Sequence, residues 1–169
     1  MKTLPQDFFN RKTLVVAREL LGKTLVRKVG KRIIRQTITE VEAYVGPHDL
    51  ACHSSRGKTS RNTPMFCEAG TIYVYFTYGR HWMLNIVTEA QDFPAAVLIR
   101  GTNVISGPAR LTKALSIDRS LNGQKLGRRS GLWIEESDFE VKKVLRTPRI
   151  GIAYAKEGWA EKPYRFLIL

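Results

Sequence analysis

Twice in this chain, strand-forming residues run up to a glycine and resume just beyond it. Leu25–Val29 leads into Gly30 and continues as Ile33–Tyr44; Thr71–Tyr78 leads into Gly79 and continues as Trp82–Thr88. Val, Ile, Thr and Tyr favour a pleated surface, and a short glycine turn joins only antiparallel neighbours. Ala95–Arg100 reads as a further apolar strand, and Gly131–Glu135 and Ile150–Ala153 as later candidates. Helical signals are sparse. Asn10 is placed to cap a helix over Thr13–Leu21, with Leu14, Val15, Leu20 and Leu21 as its apolar face and Gly22 as its stop. Ser106-Gly107-Pro108 starts another that runs to about Leu115, its proline sitting where a missing N–H costs little. Val45–Pro64 is a loop, rich in Gly, Ser, Thr, Asn and Pro. Few helices and hairpin-joined strands predict an α+β fold. We expect a single mixed domain over residues 1–169, a curved and mostly antiparallel sheet with flanking helices.

Charge narrows the function. The 28 Lys and Arg outnumber the 15 Asp and Glu, a formal net charge of +13 that favours polyanions, nucleic acid first. Between Phe93 and Ile134 the only acid is Asp118, against Arg100, Arg110, Lys113, Arg119, Lys125, Arg128 and Arg129. Arg56, Lys58 and Arg61 add to this in the Val45–Pro64 loop. The longest aliphatic run, Ala95–Ile99, is far shorter than the roughly 20 residues of a membrane span. Met1–Lys12 carries no signal-peptide core, so a cytoplasmic protein without a membrane partner is expected. Cys52 and Cys67 are then expected to be free thiols. His48 and His53 flank Cys52, but the spacing is not that of metal-ligand pairs, and no metal site is expected.

Two segments carry candidate chemistry. In a regular strand Ile38, Glu40, Glu42 and Tyr44 share a face, with neighbouring positions roughly 6.5–7 Å apart. Paired acids beside an aromatic are unusual on the surface of so basic a chain. One is suited to act as a general base and the other as a structural acid; the alternative is a pair of exposed, salt-bridged glutamates. The second segment, Tyr73–Trp82, interleaves Tyr73, Tyr75 and Tyr78 with Arg80 and His81. Such a pattern stacks on bases or wedges into a duplex, or else it is a tyrosine-rich core. Tyr78 and His81 fall at the hairpin tip, where core residues are not expected.

Together these residues resemble the alkyladenine (3-methyladenine) DNA glycosylase family. The resemblance runs through Glu42-Ala43-Tyr44-Val45-Gly46-Pro47, Asp49, His53-Ser54, Arg61-Asn62 and Met65-Phe66. It continues in Gly70–Tyr75, Tyr78-Gly79, Asn85, Arg100, Ser106-Gly107-Pro108, Trp159-Ala160, Lys162-Pro163 and Arg165-Phe166. It implies a monofunctional enzyme of base excision repair. Such an enzyme binds double-stranded DNA, flips out a damaged purine and hydrolyses its N-glycosidic bond. The implied substrates are 3-methyladenine, 7-methylguanine, hypoxanthine and ethenoadenine. No cofactor, metal or obligate protein partner is implied, and a monomer is expected.

The resemblance also implies roles. Glu42 matches the base that activates water, and Arg100 a residue that helps hold that water. The Ile150 carbonyl matches another water contact. Tyr44 and Tyr75 match aromatic pocket walls, His53 closes the pocket, and Asn85 opposes the exocyclic amine of guanine. Tyr78 matches the wedge at the tip of a protruding hairpin, Tyr75–Asn85, that inserts into DNA. Arg61, Arg80, His81, Arg110 and Lys113 are candidate DNA contacts. One departure stands out: only Gly101–Ile105 separates Arg100 from Ser106, where many relatives carry a helical insertion. That puts the support of Arg100 in question. Two rival readings are a non-catalytic RNA- or lesion-binding domain and a metal-dependent nuclease built on Asp49, Glu40 and Glu42.

Overall fold

The computed structural model describes residues 1–169. A short helix α1 (Gln6–Phe9) and helix α2 (Thr13–Leu20) precede the hairpin β1 (Thr24–Val29) and β2 (Arg32–Tyr44). After the long loop come hairpin β3 (Ile72–Thr77) and β4 (His81–Thr88), then β5 (Ala95–Thr102) and helix α3 (Pro108–Ala114). The chain closes with β6 (Leu132–Glu135), β7 (Val144–Thr147) and β8 (Arg165–Ile168). No helix is long and apolar enough to cross a membrane.

The sheet runs β3-β4-β5-β2-β1-β6, with every pairing antiparallel. Strand β2 is its spine. Its first half pairs with β1, from Val29↔Arg32 to Thr24↔Thr37. Its second half pairs with β8, through Glu40↔Leu167 and Glu42↔Arg165, and β7 extends that edge. One strand with two successive partners curls the sheet. The α+β reading with a curved antiparallel sheet holds.

Side-chain alternation then separates core from site. Val41 and Ala43 of β2, Val97 and Ile99 of β5, Leu84 and Ile86 of β4, and Ile72 and Val74 of β3 join one apolar core. Val16, Ala17 and Leu20 of α2 and Leu111 of α3 belong to the same core. The intervening residues line a cavity: Glu42 and Tyr44, Ala96, Leu98 and Arg100, Met83 and Asn85, Tyr73, Tyr75 and Thr77. One face of the sheet is therefore packed and the other is chemical.

Several local expectations need correction. Asn10 does not cap α2; it follows α1, and Lys12 at the N-cap makes no side-chain bond. Glu89, at the end of β4, instead accepts from the Thr13 N–H at 3.0 Å, so a distant carboxylate does the capping. Residues Ile150–Ala153 are a turn, not a strand. Elements α1, β7 and β8 were not expected. Ile38 does not share a face with Glu42, because register shifts flank Glu40. That irregularity lets Ile38 and Val41, three residues apart, both enter the core.

Candidate active site

Glu42 lies at the centre of the chemical face, with no exposed surface. It borders a cavity of about 370 Å³, a size suited to one small ligand or base. Its Oε1 accepts from the Ile150 N–H at 2.8 Å and lies 3.3 Å from Arg100 Nη1. Its Oε2 accepts from the Tyr44 hydroxyl at 2.9 Å. Burial pushes the Glu42 carboxyl above its ordinary pKa, against the opposing pull of Arg100, the Ile150 amide and Tyr44. The result is a carboxylate that is more basic than one in water. It is also held at both oxygens, so its orientation is set before any ligand arrives.

Aromatic groups wall the cavity. Tyr75 from β3 meets the His53 ring at 4.5 Å between centroids, edge to face. His53 Nδ1 is 3.0 Å from the Tyr73 hydroxyl. Burial and the Arg61 cation both hold the imidazole below its ordinary pKa, so His53 is neutral at pH 7. Burial and the nearby Glu42 charge keep the Tyr44 and Tyr75 hydroxyls protonated. Asn85 is buried at the cavity wall, its amide nitrogen turned to the Tyr73 and Met83 carbonyls at 3.3 and 3.4 Å. Its carbonyl oxygen makes no protein hydrogen bond, which leaves an acceptor available to the cavity.

The mouth is framed by the β3–β4 turn and by the turn at residues 149–151. Tyr78 is 78% exposed and has φ 52°, left-handed backbone that a bulky residue rarely adopts. A Cβ on Gly151 would lie 3.8 Å from the Tyr78 hydroxyl, so the two turns face each other. The second turn is anchored by a buried ion pair. Arg149 donates to Asp49 through Nη1 at 2.5 Å and Nη2 at 2.9 Å, and to the Ala43 carbonyl at 2.8 Å. Its guanidinium also lies 4.8 Å from the Tyr44 ring centre.

A methylpurine-DNA glycosylase family model matches residues 7–107 and 101–169. The chain belongs to this family. It is 44% identical to a protein of Methanocella arvoryzae, with 98% of this chain and 92% of that relative covered. It is 45% identical to one of Legionella pneumophila strain Lens, with 99% and 95% covered. It is 47% identical to one of the Wolbachia of Brugia malayi, with 98% and 96% covered. All three relatives carry the name "Putative 3-methyladenine DNA glycosylase".

Against that family, the structure brings Glu42, Arg100, Tyr44, His53, Tyr75, Asn85, Ile150 and Tyr78 to one cavity. Ile150 contributes an amide N–H to Glu42, a contact that the sequence reading did not include. Arg61 also borders the cavity, is exposed, and donates from Nη2 to the Phe76 carbonyl of the hairpin at 2.8 Å. Arg80 and His81 are exposed at the hairpin end, and Arg110 and Lys113 are exposed on α3. The Asp49–Arg149 pair and the cavity-lining Tyr154 were missed. Asp49 and Arg149 are 100 positions apart, and no local pattern joins them.

Proposed function

We propose that this protein is a monofunctional DNA glycosylase that removes alkylated or deaminated purines from duplex DNA. The observation that carries the reading is Glu42: fully buried, raised in basicity, and set in an aromatic-walled cavity beneath an exposed tyrosine. In this reading Tyr78 fills the gap left by the extruded nucleotide, and the base enters between Tyr44, Tyr75 and His53. Cationic bases such as 3-methyladenine and 7-methylguanine gain from the aromatic faces, by roughly 0.5–2 kcal/mol. Hypoxanthine and ethenoadenine fill the same space as neutral bases. Asn85 limits entry of undamaged guanine.

Chemistry then follows the pattern of glycoside hydrolysis. Glu42 accepts a proton from water as that water attacks the sugar anomeric carbon. The C–N bond breaks with its electron pair leaving on the base: a cationic alkylated base departs neutral, a neutral base takes up a proton from solvent as it departs, and the products are an abasic site and a free purine. The developing oxocarbenium charge is favoured by the adjacent carboxylate. Arg100 and the Ile150 amide keep Glu42 oriented for that role.

The test is single-turnover excision, in excess chelator, on duplex oligonucleotides that each carry one of these lesions. Wild-type protein is expected to form abasic sites, and Glu42→Gln to be about 100- to 10,000-fold slower. Lesion binding without excision by wild type would instead favour a non-catalytic binding domain.

A further inference from the structure

Arg100 is shared unequally between two carboxylates. Its Nε donates to Glu40 Oε1 at 2.9 Å, whereas its Nη1 stands 3.3 Å from Glu42 Oε1. Glu40 Oε1 also accepts from Arg165 Nε at 2.6 Å, and Arg165 Nη1 donates to Thr147 Oγ1 at 3.2 Å. The cluster is shielded: side-chain exposure is 14% for Glu40, 11% for Arg100 and 21% for Arg165. It joins three adjacent strands, with Glu40 on β2, Arg100 on β5 and Arg165 on β8.

The backbone is built around this contact. Glu40 pairs with Gly101 and Val41 with Ile99, so Arg100 falls at the register shift, beside Glu40. A Cβ on Gly101 would sit 3.3 Å from Glu40 Cβ and 3.4 Å from Glu40 Oε2, so a glycine there admits the carboxylate. The short segment after Arg100 supports it through the strands. Thr102 N–H donates to the Ile105 carbonyl at 2.8 Å, and Asn103 N–H to the Thr37 carbonyl at 2.9 Å. Arg100 therefore needs no insertion to hold it; β2 and β8 supply the anchors.

We propose that Glu40 and Arg165 are positioning residues that divide the charge of Arg100 between Glu40 and Glu42 and so set the basicity of Glu42. The proposal rests on Glu42 being the water-activating base. The four groups balance, two carboxylates against two guanidiniums. Neutralising Glu40 leaves an excess positive charge beside Glu42 and makes it a weaker base. Neutralising Arg165 leaves Glu40 to draw Arg100 away and makes Glu42 a stronger one. Burial works against the Glu40 charge, but the bonds from Arg165 and Arg100 hold its carboxyl below the ordinary value, so it is a fixed anion at neutral pH. The other charged or titratable groups facing Glu42 are Tyr44 on its own strand, Tyr75 on β3 and Arg149 in the 149–151 turn. None of them changes in the variants below.

The experiment is a carboxyl-carbon NMR titration of Glu42 in full-length wild type, Glu40→Gln and Arg165→Gln. It is paired with the pH dependence of single-turnover excision. The Glu42 midpoint is expected to fall in Glu40→Gln and rise in Arg165→Gln, each by about 0.5–1 pH unit. The acidic limb of the rate profile is expected to follow, and Glu40→Asp to recover the wild-type limb. The double variant Glu40→Gln/Arg165→Gln restores charge balance and is expected to titrate like wild type. That comparison remains available if a single variant folds poorly. Midpoints that stay put, or move together in one direction, overturn the proposal even if the rates fall. Opposite midpoint shifts in a protein that excises nothing would overturn the glycosylase reading instead, leaving the coupling of the four charges intact.

Discussion

A carboxylate without exposed surface is costly to ionise, and in the proposed mechanism Glu42 bears that cost as the water-activating base. The cost has a pH signature. Because its folded pKa lies above the ordinary value of 4.5, the folded protein holds the Glu42 proton more tightly than the unfolded chain does. The contribution of Glu42 to stability is therefore most favourable below the unfolded pKa and is lost as pH rises through the folded one. Glu42→Gln keeps the shape and cannot ionise. It is expected to melt at a higher temperature than wild type at pH 7–8, with the difference vanishing near pH 4. Thermal denaturation across that range checks this, and a less stable variant at pH 8 would contradict it. Arg149 shows the opposite solution to burial. Burial disfavours its charge, but the two bonds to Asp49 more than compensate, and its pKa is raised. A buried pair of this kind holds the Ile150 turn against Glu42 at a known cost, because removal of one partner leaves the other uncompensated.

The hairpin of β3 and β4 carries its strain at the tip. Arg80 N–H donates to the Thr77 carbonyl at 3.1 Å, while Tyr78 and Gly79 have φ 52° and 63°. Both central residues are left-handed, the form that suits the twist of a hairpin and that Gly or Asn adopts readily. A tyrosine there costs about 1–2 kcal/mol, and what it contributes is an exposed ring above the cavity. Tyr78→Gly is expected to be at least as stable as Tyr78→Ala, since glycine relieves the strain. Both variants are expected to lose more excision from a paired duplex than from a single strand, where extrusion leaves no gap in a duplex to be filled. Equal losses on the two substrates would remove the wedge role. The same scale shows why some elements were hard to read. Strand β8 is short and finds its place between the distant strands β2 and β7, and the α2 cap comes from Glu89 across the fold. Alternation alone put Ile38 beside Glu42, and only the register shifts around Glu40 separate them.

For the whole molecule, a net charge of +13 predicts strong electrostatic attraction to DNA. The logarithm of the binding constant is expected to fall with the logarithm of salt at about −0.9 per phosphate neutralised. Titration of undamaged duplex at several salt concentrations measures the slope; a value near zero would show that the surplus cations do not meet the backbone. Arg61, Arg80, His81, Arg110 and Lys113 are all exposed and are the candidate contacts, Arg61 while its Nη2 donates to the Phe76 carbonyl.

Residue identity and local pattern determined much of this protein. Glycine-centred runs predicted both hairpins, charge indicated a polyanion, and the ordered motifs identified the family and the cavity residues. These signals are legible because a turn, a strand period or a motif spans only a few positions. Tertiary structure alone decided how the site is wired. The Glu40–Arg100–Arg165 contacts and the Asp49–Arg149 pair join residues 60 to 125 positions apart. The first depends on strand order and on the register beside Glu40, the second on where the loops after β2 and β7 meet, and both are settled only when the sheet closes over a shared core. The basicity of Glu42 belongs to the same level, since burial and facing charges set it and neither exists in the extended chain.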